Sequence, residues 1–196
     1  MDEMVGNKLF FLFAFLMAST VALSNYLVQF PVNYFDLENF LTYGAFSYPV
    51  AFLITDLCNR SYGKASAKKI VYLGFFLGIS LTLYFSINFS DLISIRIALG
   101  SGTAFLAAQL IDVNIFDKLR KRKWYVAPLC SSLAGSTIDT FLFFSISFYG
   151  TSVNWLALSI GDLLVKILVA LIMLIPFGFL LSYIKETSIL KKKINV

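Results

Sequence analysis

The fold is decided by the stretch WLALSIGDLLVKILVALIMLIPFGFLLSYI, residues 155–184. A helix needs about 20 predominantly apolar residues to cross the hydrocarbon core of a bilayer. Residues 167–184 carry no charge, so the stretch predicts a membrane-spanning helix. Because it is longer than one straight span, we expect it to tilt or to extend past the membrane. Two charged residues, Asp162 and Lys166, lie inside it.

The remainder of the chain repeats this apolar pattern. The chain is 59% hydrophobic and only 14% charged, against about 25% charged residues in a typical soluble domain. Its mean hydropathy is +0.81. We predict a single all-α integral membrane domain, residues 1–196, with six transmembrane helices. Apolar runs that are interrupted by at most one or two charges place these helices near 9–30, 40–58, 70–89, 92–116, 125–148 and 155–184.

The basic residues predict the orientation of the helices. Lys and Arg are concentrated after the second helix, after the fourth helix and at the C-terminus, whereas the connections 31–39, 90–91 and 149–154 contain none. Cytoplasmic loops are enriched in Lys and Arg, so both termini are expected in the cytoplasm (N-in, C-in). The net charge of +5 is therefore a topology signal. We expect membrane lipid, and no nucleic acid, as the surrounding partner.

Several function classes are excluded by what the sequence lacks. The chain contains no histidine, which removes Ser–His and Cys–His catalysis and most zinc sites. The sequence shows no nucleotide-binding loop, so the chain is not expected to hydrolyse ATP. We therefore expect a protein that is not an enzyme and needs no cofactor or metal. Energy for transport would come from a gradient, a partner protein or metabolic trapping.

Six ionisable side chains fall inside the predicted helices. They are Asp56, Arg96, Asp112, Asp139, Asp162 and Lys166. Each charge at bilayer depth costs roughly 2.5–3.5 kcal/mol on insertion scales, and such residues usually face a bundle interior or an aqueous pathway. These residues therefore predict a membrane protein that handles a polar ligand.

Asp139 is the leading candidate for ligand binding. It lies about 14 residues into the fifth helix, or roughly 20 Å along it at 1.5 Å per residue. Ser132 and Ser136 precede it by seven and three residues on the same face. The three side chains predict one wall of a polar cavity. The alternative is that Asp139 is protonated or paired and only holds helices together.

Four further polar residues lie in the predicted helices, and two of them, Arg96 and Asn25, have more than one interpretation. Arg96 is expected either to neutralise an aspartate of another helix or bind an anionic or carbonyl group of a ligand, or to reach the outer interface. Asn25 is expected either to bind the ligand or to bond to a neighbouring helix. Asp162 and Lys166 are four residues apart, a spacing that favours an intrahelical ion pair.

Two carboxylates are predicted toward the cytoplasmic end of the bundle. Gln109 and Asp112 are three residues apart and therefore share a helix face. Asp56 lies at a similar depth on the second helix. A structural pairing of Asp56 with the basic residues that follow the second helix, for example with Arg60, is the favoured interpretation, and ligand binding is the alternative.

Three segments together carry a family pattern. They are YPVAFLITDLCNRSYGK (48–64), RIALGSGTAFLAAQLIDVNIF (96–116) and WYVAPLCSSLAGSTIDTFLFF (124–144). In these segments the chain resembles the queuosine precursor transporters, also named the vitamin-uptake family. The resemblance implies uptake of 7-cyano-7-deazaguanine and 7-aminomethyl-7-deazaguanine across the bacterial inner membrane, with the base queuine as a further substrate.

The resemblance also implies which positions function. The matching residues are Asp56, Arg96, Gln109, Asp112 and Asp139, and we add Ser132 and Asn25 as candidate substrate-binding residues. A carboxylate accepts both donors of a guanine-like edge in a bidentate geometry, a role for Asp139 or Asp112. Gln109 or Arg96 would then address the carbonyl oxygen of the base.

The mode of transport stays open at this stage. One interpretation is a stand-alone transporter, and the other is a substrate-binding subunit that needs an ATP-driven partner. Ala14, Ala18 and Ala22 present small residues at four-residue spacing. Such a stripe serves internal helix packing, or the docking of an energy-coupling partner or of a second copy in a homo-oligomer.

Overall fold

The computed structural model describes residues 2–34, 38, 41–85 and 91–181. In this part of the chain the regular structure is helical, apart from an isolated antiparallel pairing of Pro31 with Thr42. Six helices follow one another: α1 (Asp2–Leu27), α2 (Gly44–Tyr62), α3 (Lys64–Phe85), α4 (Leu92–Leu119), α5 (Val126–Phe148) and α6 (Trp155–Leu181). The prediction of an all-α chain is confirmed.

Four of these helices are long and apolar enough to cross a membrane, judged over the described residues. They are α1, through Phe10–Leu27, and the whole of α4, α5 and α6. The most apolar is α6, whose mean hydropathy reaches 2.7. The chain is therefore a multi-pass membrane protein.

The junction between α2 and α3 differs from the prediction. A basic loop was expected over 59–69, but α2 continues to Tyr62 and α3 begins at Lys64. Gly63 alone joins them, with φ 81° and ψ 173°, a conformation that essentially only glycine adopts. Lysine is a good helix former. The segment 64–69, which contains three lysines, therefore forms the first turns of α3 instead of a loop.

The N-terminus of α4 lies where it was predicted. The Asp91 carboxylate accepts hydrogen bonds from the backbone N–H groups of Ile93 and Ser94, each at 3.1 Å. This cap satisfies two of the four donors that have no partner at the start of a helix. It fixes the beginning of the helix that carries Gln109 and Asp112.

Small residues bring the central helices close together. A Cβ atom added to Gly135 of α5 would lie 2.5 Å from Cε1 of Phe52 on α2. One added to Gly100 of α4 would lie 2.5 Å from Oγ of Ser147 on α5. Close approach through small residues is typical of membrane helix pairs. Short polar side chains of α2, α4 and α5 can therefore meet inside the bundle.

Candidate functional site

Lys166 lies at the centre of the first polar cluster. Its Nζ atom is 2.6 Å from Oδ2 of Asp162, one turn earlier on α6, and 2.9 Å from Oδ2 of Asp139 on α5. It also donates to Thr140 Oγ1 at 3.1 Å, and Thr140 in turn donates to Asp162 at 2.7 Å. We call these four residues the ion-pair centre. The predicted pairing of Asp162 with Lys166 is confirmed.

The ion-pair centre changes the interpretation of Asp139. Its side chain is 4% exposed and that of Lys166 is 2% exposed. A charge-assisted bond in such a buried position is strong, and removal of one partner would leave an uncompensated charge. The contacts match the alternative in which a paired Asp139 holds helices together. A ligand that binds Asp139 has to share it with Lys166.

Tyr48 connects the ion-pair centre to two more helices. Lys166 Nζ lies 5.1 Å from the centroid of the Tyr48 ring, within cation–π range. The Tyr48 hydroxyl donates to Oδ1 of Asn25 at 2.5 Å and lies 2.8 Å from Oγ of Ser101. Ser101 also hydrogen-bonds Asn25 Oδ1. Asn25 thus bonds to neighbouring helices, as one of its two interpretations predicts.

A second polar cluster forms around Asp56 and Asp112, which we call the carboxylate pair. Both residues are buried, at 1% and 0% exposure. Asp56 accepts hydrogen bonds from Ser131 Oγ at 3.3 Å and from Ser132 Oγ at 3.4 Å. Hydrogen bonds from Thr55 to Gln109 and from Asn59 to the carbonyl of Val113 join α2 to α4 on either side of the two residues, so Asp112 lies beside Asp56. The pair joins α2, α4 and α5.

The predicted pairing of Asp56 with Arg60 is wrong. Arg60 Nη1 donates to the backbone oxygen of Arg120 at 2.7 Å, and Arg120 Nη2 donates to the backbone oxygen of Arg60 at 3.2 Å. Carbonyls at helix C-termini lack helical partners and favour cations. Arg60 therefore joins the end of α2 to the end of α4, in what we call the arginine clasp, while Asp56 points into the bundle.

Several buried polar atoms beside the carboxylate pair lack a hydrogen-bond partner among the described residues. Thr55 donates to Oε1 of Gln109 at 2.5 Å, but Nε2 of Gln109 is unpaired. Both carboxyl oxygens of Asp112 and Oγ of Ser136 are also unpaired. Buried polar groups are nearly always hydrogen-bonded. This cluster of exceptions is therefore the candidate site for a polar ligand.

A small cavity adjoins the carboxylate pair. Its volume is about 10 Å³, enough for at most one water molecule. Asp56 and Ser132 form one side, and Met173, Leu174 and Phe177 of α6 lie on the other. A planar ligand larger than water therefore requires α6 to move away from α2 and α5.

Comparison with known proteins identifies the family. Residues 42–181, which span α2 to α6, match the family described as "Putative vitamin uptake transporter". The chain belongs to this transporter family. The prediction from the three sequence segments is confirmed, and the family is one of transporters rather than enzymes.

Curated relatives of this transporter have a more specific name. A Haemophilus influenzae protein named "Probable queuosine precursor transporter" is 34% identical over 84% of this chain and 83% of its own. The Escherichia coli "Queuosine precursor transporter" is 32% identical over 88% of this chain and 86% of its own. A Bacillus subtilis relative, also named "Probable queuosine precursor transporter", is 32% identical over 70% of both chains. No solved structure matches the transporter.

Arg96 contacts a helix end in the transporter. Its Nε and Nη2 atoms donate to the backbone oxygen of Ile146 at 3.1 and 3.0 Å, and Nη2 also donates to that of Tyr149 at 2.7 Å. These carbonyls end α5, where cations are favoured. The described contacts of the guanidinium are thus with backbone carbonyl groups, a role that was not among its predicted ones. Ligand binding by Arg96 stays a prediction.

We expect Arg96→Met to destabilise the transporter. Hydrogen bonds to charged groups contribute roughly 1.5–3 kcal/mol each, so thermal unfolding in detergent should occur at a clearly lower temperature. Arg122→Met, at an exposed position, is the matched control and should change stability little. An Arg96→Met protein of unchanged stability would contradict the role at the helix end and favour ligand binding.

Neutral residues of the polar clusters, among them Tyr48, Ser101 and Thr140, were not predicted from the sequence. Tyr48 and Ser101 are neutral, so neither was singled out. The signal was present in α2, because Tyr48 precedes Thr55 by seven residues and Asp56 by eight, which places it on the same helix face. A polar stripe at helical spacing is thus a better guide to the site than charge alone.

Proposed function

We propose that this transporter takes up queuosine precursors, 7-cyano-7-deazaguanine and 7-aminomethyl-7-deazaguanine, across the bacterial inner membrane, with queuine as a further substrate. The names of the relatives give the substrate class. The observation that supports it in this chain is the pair of unpaired buried groups on α4, the Asp112 carboxylate and the Gln109 amide nitrogen.

These two groups complement a guanine-like edge. Such a base presents N1–H and a 2-amino group as donors beside a carbonyl acceptor. A carboxylate accepts both donors in charge-assisted hydrogen bonds, and an amide nitrogen donates to the carbonyl. Asp112 is better suited to this role than Asp139, because Oδ2 of Asp139 already binds Lys166.

Two other candidate residues, Asp56 and Ser132, lie near Asp112 and Gln109. Asp56 and Ser132 form the adjoining cavity wall, which is where substituents of the base would extend. Discrimination against guanine depends on position 7, because a site that hydrogen-bonds a substituent rejects a base that lacks it.

The transport path requires a defined topology. We propose six membrane spans with both termini cytoplasmic, which would place the carboxylate pair toward the cytoplasmic side and Arg96 toward the outer side. The support is the distribution of Lys and Arg. A reporter fused after Val196 should be active only in the cytoplasm. Periplasmic activity of that fusion would contradict this orientation.

The binding test is thermal stabilisation of the purified protein. A ligand that binds only the folded state stabilises it by about 2.7 kcal/mol at 100 times its Kd. Both 7-deazaguanine bases should raise the unfolding temperature, and guanine at equal concentration should raise it much less. Equal stabilisation by guanine would remove the selectivity, and no stabilisation by any base would contradict the proposed function.

Transport is tested with vesicles that contain only this protein. Uptake of labelled 7-cyano-7-deazaguanine would support a stand-alone transporter. Binding without uptake would favour the second candidate function, a substrate-binding subunit that needs an ATP-driven partner.

A further inference from the structure

We propose that Asp56 and Asp112 together hold one exchangeable proton, and that this proton enters the cell with the base. The carboxylate pair would then couple uptake to the proton gradient. This inference rests on the proposed function, because it assigns a second ligand to the same site.

The first argument is the surroundings of the pair. Asp112 is the ionisable group that faces Asp56, and α5 presents only the hydroxyls of Ser131 and Ser132. Across the cavity α6 presents apolar side chains, including Met173 and Phe177. α1 and α3 pack on α2 through an apolar cluster, which also takes up the thiol of Cys58 on α2. None of the described groups that face the pair is cationic.

The second argument is the contrast with the ion-pair centre. There Lys166 lies within 3 Å of both carboxylates and compensates their charge. The carboxylate pair is equally buried, but in the described part of the chain no lysine or arginine forms a salt bridge with it. Two carboxylates at close range in a desolvated site cannot both ionise readily. A shared proton removes one charge and converts the repulsion into a charge-assisted hydrogen bond.

The third argument is that, apart from the proton shared with Asp56, neither oxygen of Asp112 accepts a hydrogen bond from the described residues. Asp112 can accept two N–H groups of the base only as a carboxylate, so the proton of the pair must then lie on Asp56. The bound base also excludes water from the pair, which makes a second negative charge beside it still less favourable. Base and proton therefore bind together, without any covalent step, and one proton accompanies each base.

The equilibrium test is the affinity for 7-cyano-7-deazaguanine as a function of pH, measured on the purified full-length protein. In the pH range in which the carboxylate pair of the unliganded protein has lost its proton, binding of the base requires the uptake of one proton. The Kd should then rise by up to about tenfold for each unit of increasing pH. Asp56→Asn has no proton to gain at this position, so its Kd should be nearly independent of pH over the same range.

The control variant is Asp117→Asn, also on α4, whose carboxylate is one-third exposed and lies 3.5 Å from Arg120. It should keep the pH dependence of the wild type. The same base is used with all three proteins, so any titration of the base itself affects the three Kd profiles equally. An unchanged slope in Asp56→Asn, or a flat profile in the wild type, would overturn the proposal. If Asp56→Asn does not fold, proton uptake by the wild type on addition of base, read with a pH dye in weakly buffered solution, decides the matter.

Transport measurements on vesicles that contain only this protein distinguish a failure of the proton inference from a failure of the proposed function. An inward proton gradient should drive accumulation of the labelled base, and a proton ionophore should abolish it. Accumulation driven by a sodium gradient instead, or uptake indifferent to either gradient, would overturn the proton inference and leave the proposed function intact. If the wild-type protein binds no base at all, both the proton inference and the proposed function are contradicted.

Discussion

Asp112→Asn should weaken binding of 7-cyano-7-deazaguanine by about 30- to 4,000-fold. Loss of one partner of a buried, charged hydrogen-bond pair costs roughly 2–5 kcal/mol, and every 1.4 kcal/mol is a factor of about ten. Asparagine keeps the shape of the side chain, but it offers one acceptor oxygen and its NH₂ group opposes a donor of the base. The measurement is the Kd of the purified variant in detergent.

Two comparisons make the Asp112→Asn result interpretable. Asp117→Asn removes a carboxylate from the same helix at a part-exposed position, and its Kd should stay within about twofold of the wild type, since surface changes usually contribute little. Asp139→Asn tests the earlier candidate. If it loses as much affinity as predicted for Asp112→Asn while the Asp112 variant binds normally, then Asp139 reads the edge of the base.

Lys166→Met should destabilise the folded transporter by about 3–5 kcal/mol. The lysine is 2% exposed and lies between two buried carboxylates. Methionine fills similar space, but it leaves Asp139 and Asp162 with uncompensated charges. The effect should appear as a large drop in the thermal unfolding temperature in detergent. Lys123→Met, at an exposed position, should have almost no effect.

A triple variant tests the cause of this loss. Neutralising Asp139 and Asp162 to asparagine together with Lys166→Met removes all the charges, so most of the lost stability should return. Replacement of a complete buried ion pair by neutral groups is often tolerated, whereas removal of one partner is not. If the triple variant is as unstable as Lys166→Met alone, the lysine acts through packing rather than through its charge.

Those parts of the fold that depend on local sequence were predictable. The apolar run in 155–184 predicts α6, and the spacing of Asp162 and Lys166 predicts their ion pair, because i and i+4 are neighbours on any helix. The charged residues inside apolar runs also identified both polar clusters, since burial of a charge requires a partner.

Contacts between distant segments were not predictable in the same way. Nothing local indicates that Lys166 also binds Asp139, 27 residues earlier, or that Arg60 reaches Arg120 instead of Asp56. The single-residue turn at Gly63 was missed because basic residues serve equally well in loops and at helix ends. Which carboxylate lacks a partner depends on how the helices pack. This packing pairs Asp139 with Lys166 and makes Asp112 the better candidate for ligand binding.

The arginine clasp has a mechanical consequence. It ties the ends of α2 and α4 together, and these helices are also joined by Thr55 to Gln109 and by Asn59 to the carbonyl of Val113 at 3.1 Å. Hydrogen bonds thus connect α2 and α4 at three levels, so we expect the two helices to move as one rigid body. α6 makes polar contacts with the bundle at the ion-pair centre, whereas the side chains that α6 itself contributes to the cavity are apolar. If the cavity opens, we therefore expect α6 to turn about Lys166, with α2 and α4 as the fixed frame.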